Sequence, residues 1–202
     1  EAGIQVTYDE KEHKFFEIKG NQKYKAFDKY MPSDWSSVAF PTVAALTPGS
    51  NLTIRNMDFK DSQGDAVVID HLIGISMDLK NTPDALPILC VAGCMADGTT
   101  VLDNVAGARL KETDRVSVMT EALSLMGADI SATENTITIH GGKKLRGCVQ
   151  DSHGDHRIAM ALTVAGMSAE GCTEITGAEC ASVTFPNFYP KMQSCGVKIE
   201  LD

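Results

Sequence analysis

An internal repetition constrains this chain more than any other feature. Three segments share one grammar: an Asp, a mostly apolar stretch of helical length, a Gly, then a short β-prone run. They are Asp34-Trp-Ser-Ser-Val-Ala-Phe through Gly49 to Leu52-Thr-Ile-Arg55, Asp84-Ala-Leu-Pro-Ile-Leu-Cys through Gly98 to Thr99-Thr-Val-Leu102, and Asp155-His-Arg-Ile-Ala-Met through Gly171 to Cys172-Thr-Glu-Ile-Thr176. Each reads as a capped helix feeding a strand. An Asp ahead of the first turn accepts amide hydrogens that have no intrahelical partner, and a Gly beyond the last turn takes the left-handed conformation that ends the helix.

The helices after Asp84 and Asp155 are apolar nearly all round, which in a water-soluble chain means burial on every side. A second, more amphipathic element follows each strand. In the middle repeat Val116, Met119, Leu123 and Met126 recur at helical spacing and Gly127 stops the helix. Ala128 to Ser131 and Thr136 to His140 then read as a hairpin with Ile137 and Ile139 on one face. Three such units over residues 30–202 predict an α/β domain with its helices buried and its sheets outside. Residues 1–29 fall outside the repeat. Ile4 to Tyr8 and Phe15 to Lys19 read as a hairpin across Asp9-Glu10-Lys11, followed by a Lys-rich polar stretch. The segment is expected to be the remnant of a preceding domain plus a crossover, and the opening at Glu1 in a strand-like run reads as a fragment of a longer protein.

Composition closes off several classes of function. Against 18 Lys+Arg stand 27 Asp+Glu, a formal charge of −9, so a nucleic-acid module, which needs an excess of cations to displace counterions, is not expected. The longest apolar run, Ala85 to Ala96, falls short of the about 20 residues a bilayer requires. Cys90, Cys94, Cys148, Cys172, Cys180 and Cys195 sit mostly in apolar segments with no secreted framework around them and read as reduced core thiols of a cytoplasmic protein. Neither a G-x-x-x-x-G-K-[ST] loop, a G-x-G-x-x-G turn after a strand, nor a serine nucleophile elbow occurs.

Two clusters carry chemistry. In Lys111-Glu-Thr-Asp-Arg115, helical spacing lets one turn present two cations and a carboxylate, either as solvated intrahelical ion pairs or as a site. In Asp151-Ser-His-Gly-Asp-His-Arg157, His156 and Arg157 fall in the first turn after the Asp155 cap. A cation there opposes the helix dipole, so it needs a bound anion or a carboxylate partner. His153 and His156 form an H-x-x-H pair, but Gly154 and the cap separate them and nothing completes a metal set, so no metal is expected. Asp84 is either a cap alone or a cap that also serves as a modest base toward a hydroxyl.

Leu110-Lys-Glu-Thr-Asp-Arg115, Gly154-Asp-His-Arg-Ile-Ala-Met160, the Thr82-Pro-Asp84 helix start and the closing Thr184-Phe-Pro-Asn-Phe188 together resemble the C-terminal half of the EPSP synthase (3-phosphoshikimate 1-carboxyvinyltransferase) family, an enolpyruvyl transferase family. The resemblance runs the length of the chain. It implies an inside-out domain of three helix-strand-helix-strand-strand repeats, one of two such domains with the substrates in the cleft between them. It implies enolpyruvyl transfer from phosphoenolpyruvate to the 5-hydroxyl of shikimate 3-phosphate, with release of phosphate and without a cofactor. By position, Asp84 would deprotonate or orient the hydroxyl and Glu112 would protonate the enolpyruvyl methylene. Lys111 would bridge the substrates, Arg115 and Arg157 would hold the phosphoenolpyruvate phosphate and carboxylate, and His156 would lie beside them. Arg115 and Arg157 are thus expected to share one open face.

The sequence departs from the family pattern at Val183, where a lysine is common, and at Gly107, where an Asn occurs. The positions with which the family's N-terminal domain binds shikimate 3-phosphate are absent from this chain, so that domain is an expected partner. A UDP-N-acetylglucosamine enolpyruvyl transferase and a non-catalytic phosphoanion-binding module are the competing readings.

Overall fold

The computed structural model describes residues 4–8, 16–23, 25–26, 33–46, 52–58, 63 and 76–201. Glu1–Pro32 and Ser33–Asp202 form two compact units. In the first, β1 (Val6–Tyr8) and β2 (Phe16–Ile18) pair antiparallel, with Val6 opposite Ile18 and Tyr8 opposite Phe16, as the alternation predicts. The turn at Asp9-Glu10-Lys11 lies outside the described residues.

The second unit runs α1 (Trp35–Ala44), β3 (Ser76–Asp78), α2 (Leu86–Met95), β4 (Thr99–Asp103), α3 (Arg115–Leu125), β5 (Asp129–Ala132), β6 (Thr136–His140), β7 (Val149–Asp151), α4 (His156–Ser168), β8 (Glu174–Thr176) and α5 (Phe188–Ser194). From α2 to β6 it presents one complete helix-strand-helix-strand-strand unit. A four-stranded sheet in the order β3-β4-β6-β5 is parallel only between β3 and β4, and β7 pairs parallel with β8.

The all-round apolarity of α2 and α4 has the expected outcome. Every residue from Leu86 to Cys94 is buried, as is every residue from Ile158 to Ala165. Helix α2 packs on α1, α3, α4 and the inner face of β6. Ile137 and Ile139 on β6 face inward at 0% exposure while their neighbours are wetter, the period-two alternation of a sheet covered on one side. On α3, Val116, Met119, Leu123 and Met126 just beyond it are likewise fully buried. Each such side chain stabilises the fold by roughly 1.5–3 kcal/mol relative to exposure. Helices inside and sheets outside is the α/β architecture that the repeat predicts. Among the described residues no helix is long and apolar enough to cross a membrane.

Two expectations are corrected. Leu52–Arg55 joins no ladder among the described residues, and Ile54 is 36% exposed, so this β-prone run is not a strand there. Gly49, its helix stop, lies outside the described residues. Cys172 and Cys195 are exposed thiols rather than core ones, because each falls beside a helix-ending or turn glycine, at Gly171 and Gly196, where the chain is at the surface.

The β6 end is locked to the α2 end by a close backbone approach. The Gly141 amide donates to the Gly98 carbonyl at 2.9 Å, and a Cβ at Gly141 would strike the carbonyl oxygens of Ala96 and Gly93. No flexible side chain is there to yield. Gly141→Ala is therefore expected to lower the unfolding free energy by about 2 kcal/mol or more, read as a lower denaturant midpoint. Gly20→Ala, where no described residue lies within 4 Å of the added Cβ, should leave the midpoint unchanged or slightly raised.

Candidate active site

Three loops converge on one place: the turn before α2, the segment before α3, and the turn before α4. Asp155 caps α4 as its position predicts, accepting from the Arg157 amide at 2.9 Å. Asp34 does the same for α1 with Ser36 and Ser37. Asp84 does not cap. It lies in a 3-10 turn, Pro83–Ala85, and Ala85 precedes α2. The physical reason is local: Pro87 in the first turn of α2 has no amide hydrogen to satisfy, so the carboxylate is free to turn toward cations.

Those cations are organised by Arg115, which the sequence placed on an open face and the structure buries at 0% exposure. Its Nε donates to Asp155 Oδ2 at 2.7 Å and its Nη2 to Asp155 Oδ1 at 3.1 Å, a bidentate fork. Nη1 donates to Asp84 Oδ1 at 2.8 Å, and Nη2 also to Glu112 Oε2 at 2.6 Å. Burying a guanidinium is costly unless its donors are met, and here three carboxylates meet them. Arg115 thus touches Asp84 and Glu112 directly and is not presented to solvent beside Arg157.

The remaining expected residues join the same cluster. Lys111 Nζ lies 3.2 Å from Asp84 Oδ1, Arg157 Nη2 lies 3.9 Å from Asp84 Oδ2, and His156 Nδ1 lies 3.8 Å from Glu112 Oε1. All six positions singled out in the sequence are linked by direct contacts. Exposure grades them: the Glu112 side chain is 48% exposed, Asp84 33%, Lys111 32% and Arg157 11%. Burial pushes the Asp84 carboxyl up, but Arg157, Lys111 and Arg115 outweigh it and hold the group below the usual carboxylate range. Burial, aided by Arg157, pulls His156 below the usual imidazole range against the opposing pull of Asp155 and Glu112, which keeps it neutral at pH 7.

Sequence reading missed the second role of Asp155. Besides capping, its 0%-exposed side chain receives the Arg115 fork, and Thr113 Oγ1 donates to Oδ2 at 3.1 Å. Burial raises its carboxyl, yet these donors lower it further and leave it ionised. The signal available was the first-turn cation at Arg157, which called for a carboxylate without saying that a second cation would arrive from α3. Of the closing Phe185-Pro-Asn-Phe188 segment, Phe188 is core, 1% exposed and edge-on to Phe40, Phe185 is partly buried, and Pro186 and Asn187 are exposed. Val183 is 73% exposed. His153 sits in a left-handed turn at φ 52°, apart from His156, and no group of three His, Cys, Asp or Glu side chains among the described residues is placed to hold a metal ion. Two surface concavities of about 530 and 420 Å³, lined by Lys143, Lys144 and Arg146 and by Glu121, Asp151 and His153 respectively, include none of the six cluster residues.

Two outcomes follow from these buried charges. Asp155→Asn keeps a competent helix cap but removes the one fully buried carboxylate facing Arg115, leaving Asp84 and Glu112, and is expected to destabilise the fold by about 2–3 kcal/mol in denaturant melts. The Asp155 carboxyl is held below its ordinary 3.8 in the fold, so its contribution is present above that pH and lost as pH falls below it. His156, held below its ordinary 6.5, adds a loss with the same sign that begins as pH falls through that value. Stability measured from pH 7 downward should therefore fall in two stages, and His156→Gln should remove the upper one.

The family model for EPSP synthase (3-phosphoshikimate 1-carboxyvinyltransferase) matches residues 1–74 and 67–192. A 3-phosphoshikimate 1-carboxyvinyltransferase of Acetivibrio thermocellus is 40% identical over 215 residues, covering 96% of this chain and 51% of that protein. One from Methanocaldococcus jannaschii is 38% identical over 208 residues, covering 92% of this chain and 48% of that protein. The chain thus spans about half the length of the curated relatives it matches. The solved EPSP synthase of Acinetobacter baumannii superposes with a TM-score of 0.85 at 28% identity, covering 98% of this chain and 53% of that one. With the family model and relatives at such identity both running along nearly its whole length, the chain belongs to the EPSP synthase family.

Proposed function

We propose that this chain supplies one wall of a cytoplasmic active site that transfers the enolpyruvyl group of phosphoenolpyruvate to the 5-hydroxyl of shikimate 3-phosphate. The observation that carries the reading is the contact of Asp84, Lys111, Glu112, His156 and Arg157 in one cluster around Arg115. The chemistry needs such a mixture. Protonating the methylene carbon of phosphoenolpyruvate makes the adjacent carbon cationic, and the hydroxyl oxygen attacks it as its own proton leaves. Loss of phosphate and of a methyl proton then restores the double bond. Carboxylates stabilise the developing positive charge, and cations hold the phosphate and carboxylate of the substrates.

Asp84, ionised and in part exposed, takes or orients the hydroxyl proton. Glu112, the most exposed of the three carboxylates, delivers a proton to the methylene. Lys111 lies between the substrates, and Arg157 with neutral His156 holds the phosphoenolpyruvate anion. Arg115 acts through the two carboxylates it grips, because its own fork is occupied. Shikimate 3-phosphate takes most of its contacts from the domain that makes up the other half of the relatives' length. The internal pairing of the cluster supports this two-sided site over a stand-alone anion module, since each cation here already faces a carboxylate.

The test is phosphate release. The chain alone should turn over nothing measurable, because orientation and exclusion of water depend on closure of both halves of the cleft. Joined to an EPSP synthase N-terminal domain it should release phosphate, and there Asp84→Ala and Glu112→Gln should each lower turnover by ~10²-fold or more. Arg157→Ala should mainly raise the phosphoenolpyruvate requirement. Robust release by the chain alone, or full activity of Glu112→Gln in the joined protein, would overturn the mechanism.

A further inference from the structure

Lys111, Glu112 and Thr113 stand on a loop whose side chains reach Asp84, Arg115 and Asp155, while its base is held elsewhere. Only Leu110, Lys111, Glu112 and Thr113 separate Arg109 from Asp114, the residue capping α3, and Leu110 is 87% exposed, so apolar packing does not fix the segment. Arg109 spans its base. Its Nη1 donates to Asp114 Oδ2 at 2.8 Å and to Ser117 Oγ at 3.2 Å, joining the two ends of the loop. Its Nε donates to the Glu134 carbonyl at 3.0 Å and its Nη2 to the Thr133 carbonyl at 2.7 Å, tying that base to the β5–β6 turn. The same turn holds the segment ahead of the loop: the Val105 amide donates to the Asn135 carbonyl at 3.2 Å and the Ala106 amide to Asn135 Oδ1 at 3.2 Å.

We propose that Arg109 is a positioning residue, a staple that closes the loop base and sets Lys111 and Glu112 against Asp84 and the substrates. An ion pair with side chains 25% and 40% exposed adds little to stability. Placement is another matter, since a misplacement of about 1 Å at reacting groups costs up to 10²-fold in rate. Only a planar fork reaches Asp114 and two carbonyls at once. A lysine keeps the ion pair and loses the turn.

The inference rests on the proposed enolpyruvyl transfer, so the experiment has one arm that does not use activity. By amide hydrogen exchange on this chain, Arg109→Lys is expected to speed exchange at Ala106 and Ser117, whose amides donate to Asn135 and Asp114 at the loop base, at least ~10-fold, with α4 unchanged. In the protein joined to an EPSP synthase N-terminal domain, the same variant should lower kcat about 10-fold with little change in either KM and in the melting temperature. Asp114→Asn, which keeps the α3 cap, should lower kcat similarly, and the double variant should fall no further than either single one. Unchanged exchange and unchanged kcat overturn the proposal. So does a lowered melting temperature with kcat intact, the signature of a purely structural contact. If the unsubstituted joined protein releases no phosphate, the functional reading fails and the exchange arm alone decides the staple.

Discussion

The site depends on one buried ion pair between elements 40 residues apart, Arg115 at the start of α3 and Asp155 at the start of α4. Both side chains are wholly buried, and desolvation alone would make such a pair a liability. What offsets it is completeness. Asp155 receives four donors: two from the Arg115 fork, one from the Arg157 amide and one from Thr113. Arg115 donates further to Asp84 and Glu112. The pair therefore does more than join two helices. It fixes the distance between the segment carrying Lys111 and Glu112 and the turn carrying His156 and Arg157, and through Asp84 it draws the start of α2 to the same point.

Much of the framework was legible because it rests on periodicity. The apolarity of Leu86–Cys94 and Ile158–Ala165 has one physical outcome in water, and the alternation over Thr136–His140 has one register that buries both Ile137 and Ile139. That these charged side chains come together was legible too, because cations in the first turn of a helix demand partners. Their arrangement was not. Spacing along a chain tells which charges share a turn but not which one turns inward, and Arg115 is buried because a carboxylate from another helix receives it. Asp84 looked like a cap until Pro87 removed part of the need for one. Arg109 escaped notice because two of its partners are backbone carbonyls, which no sequence pattern marks.

The matching of three cations to three carboxylates has a consequence at long range. Lys111, Arg115 and Arg157 face Asp84, Glu112 and Asp155 at contact distance, so beyond about 8 Å, one Debye length at physiological salt, their fields largely cancel. A highly charged anion diffusing toward this surface meets a chain of net charge −9, not a positive funnel. The cluster therefore exerts little pull on an anion at a distance and can favour one only at contact, by exchanging one set of anionic oxygens for another.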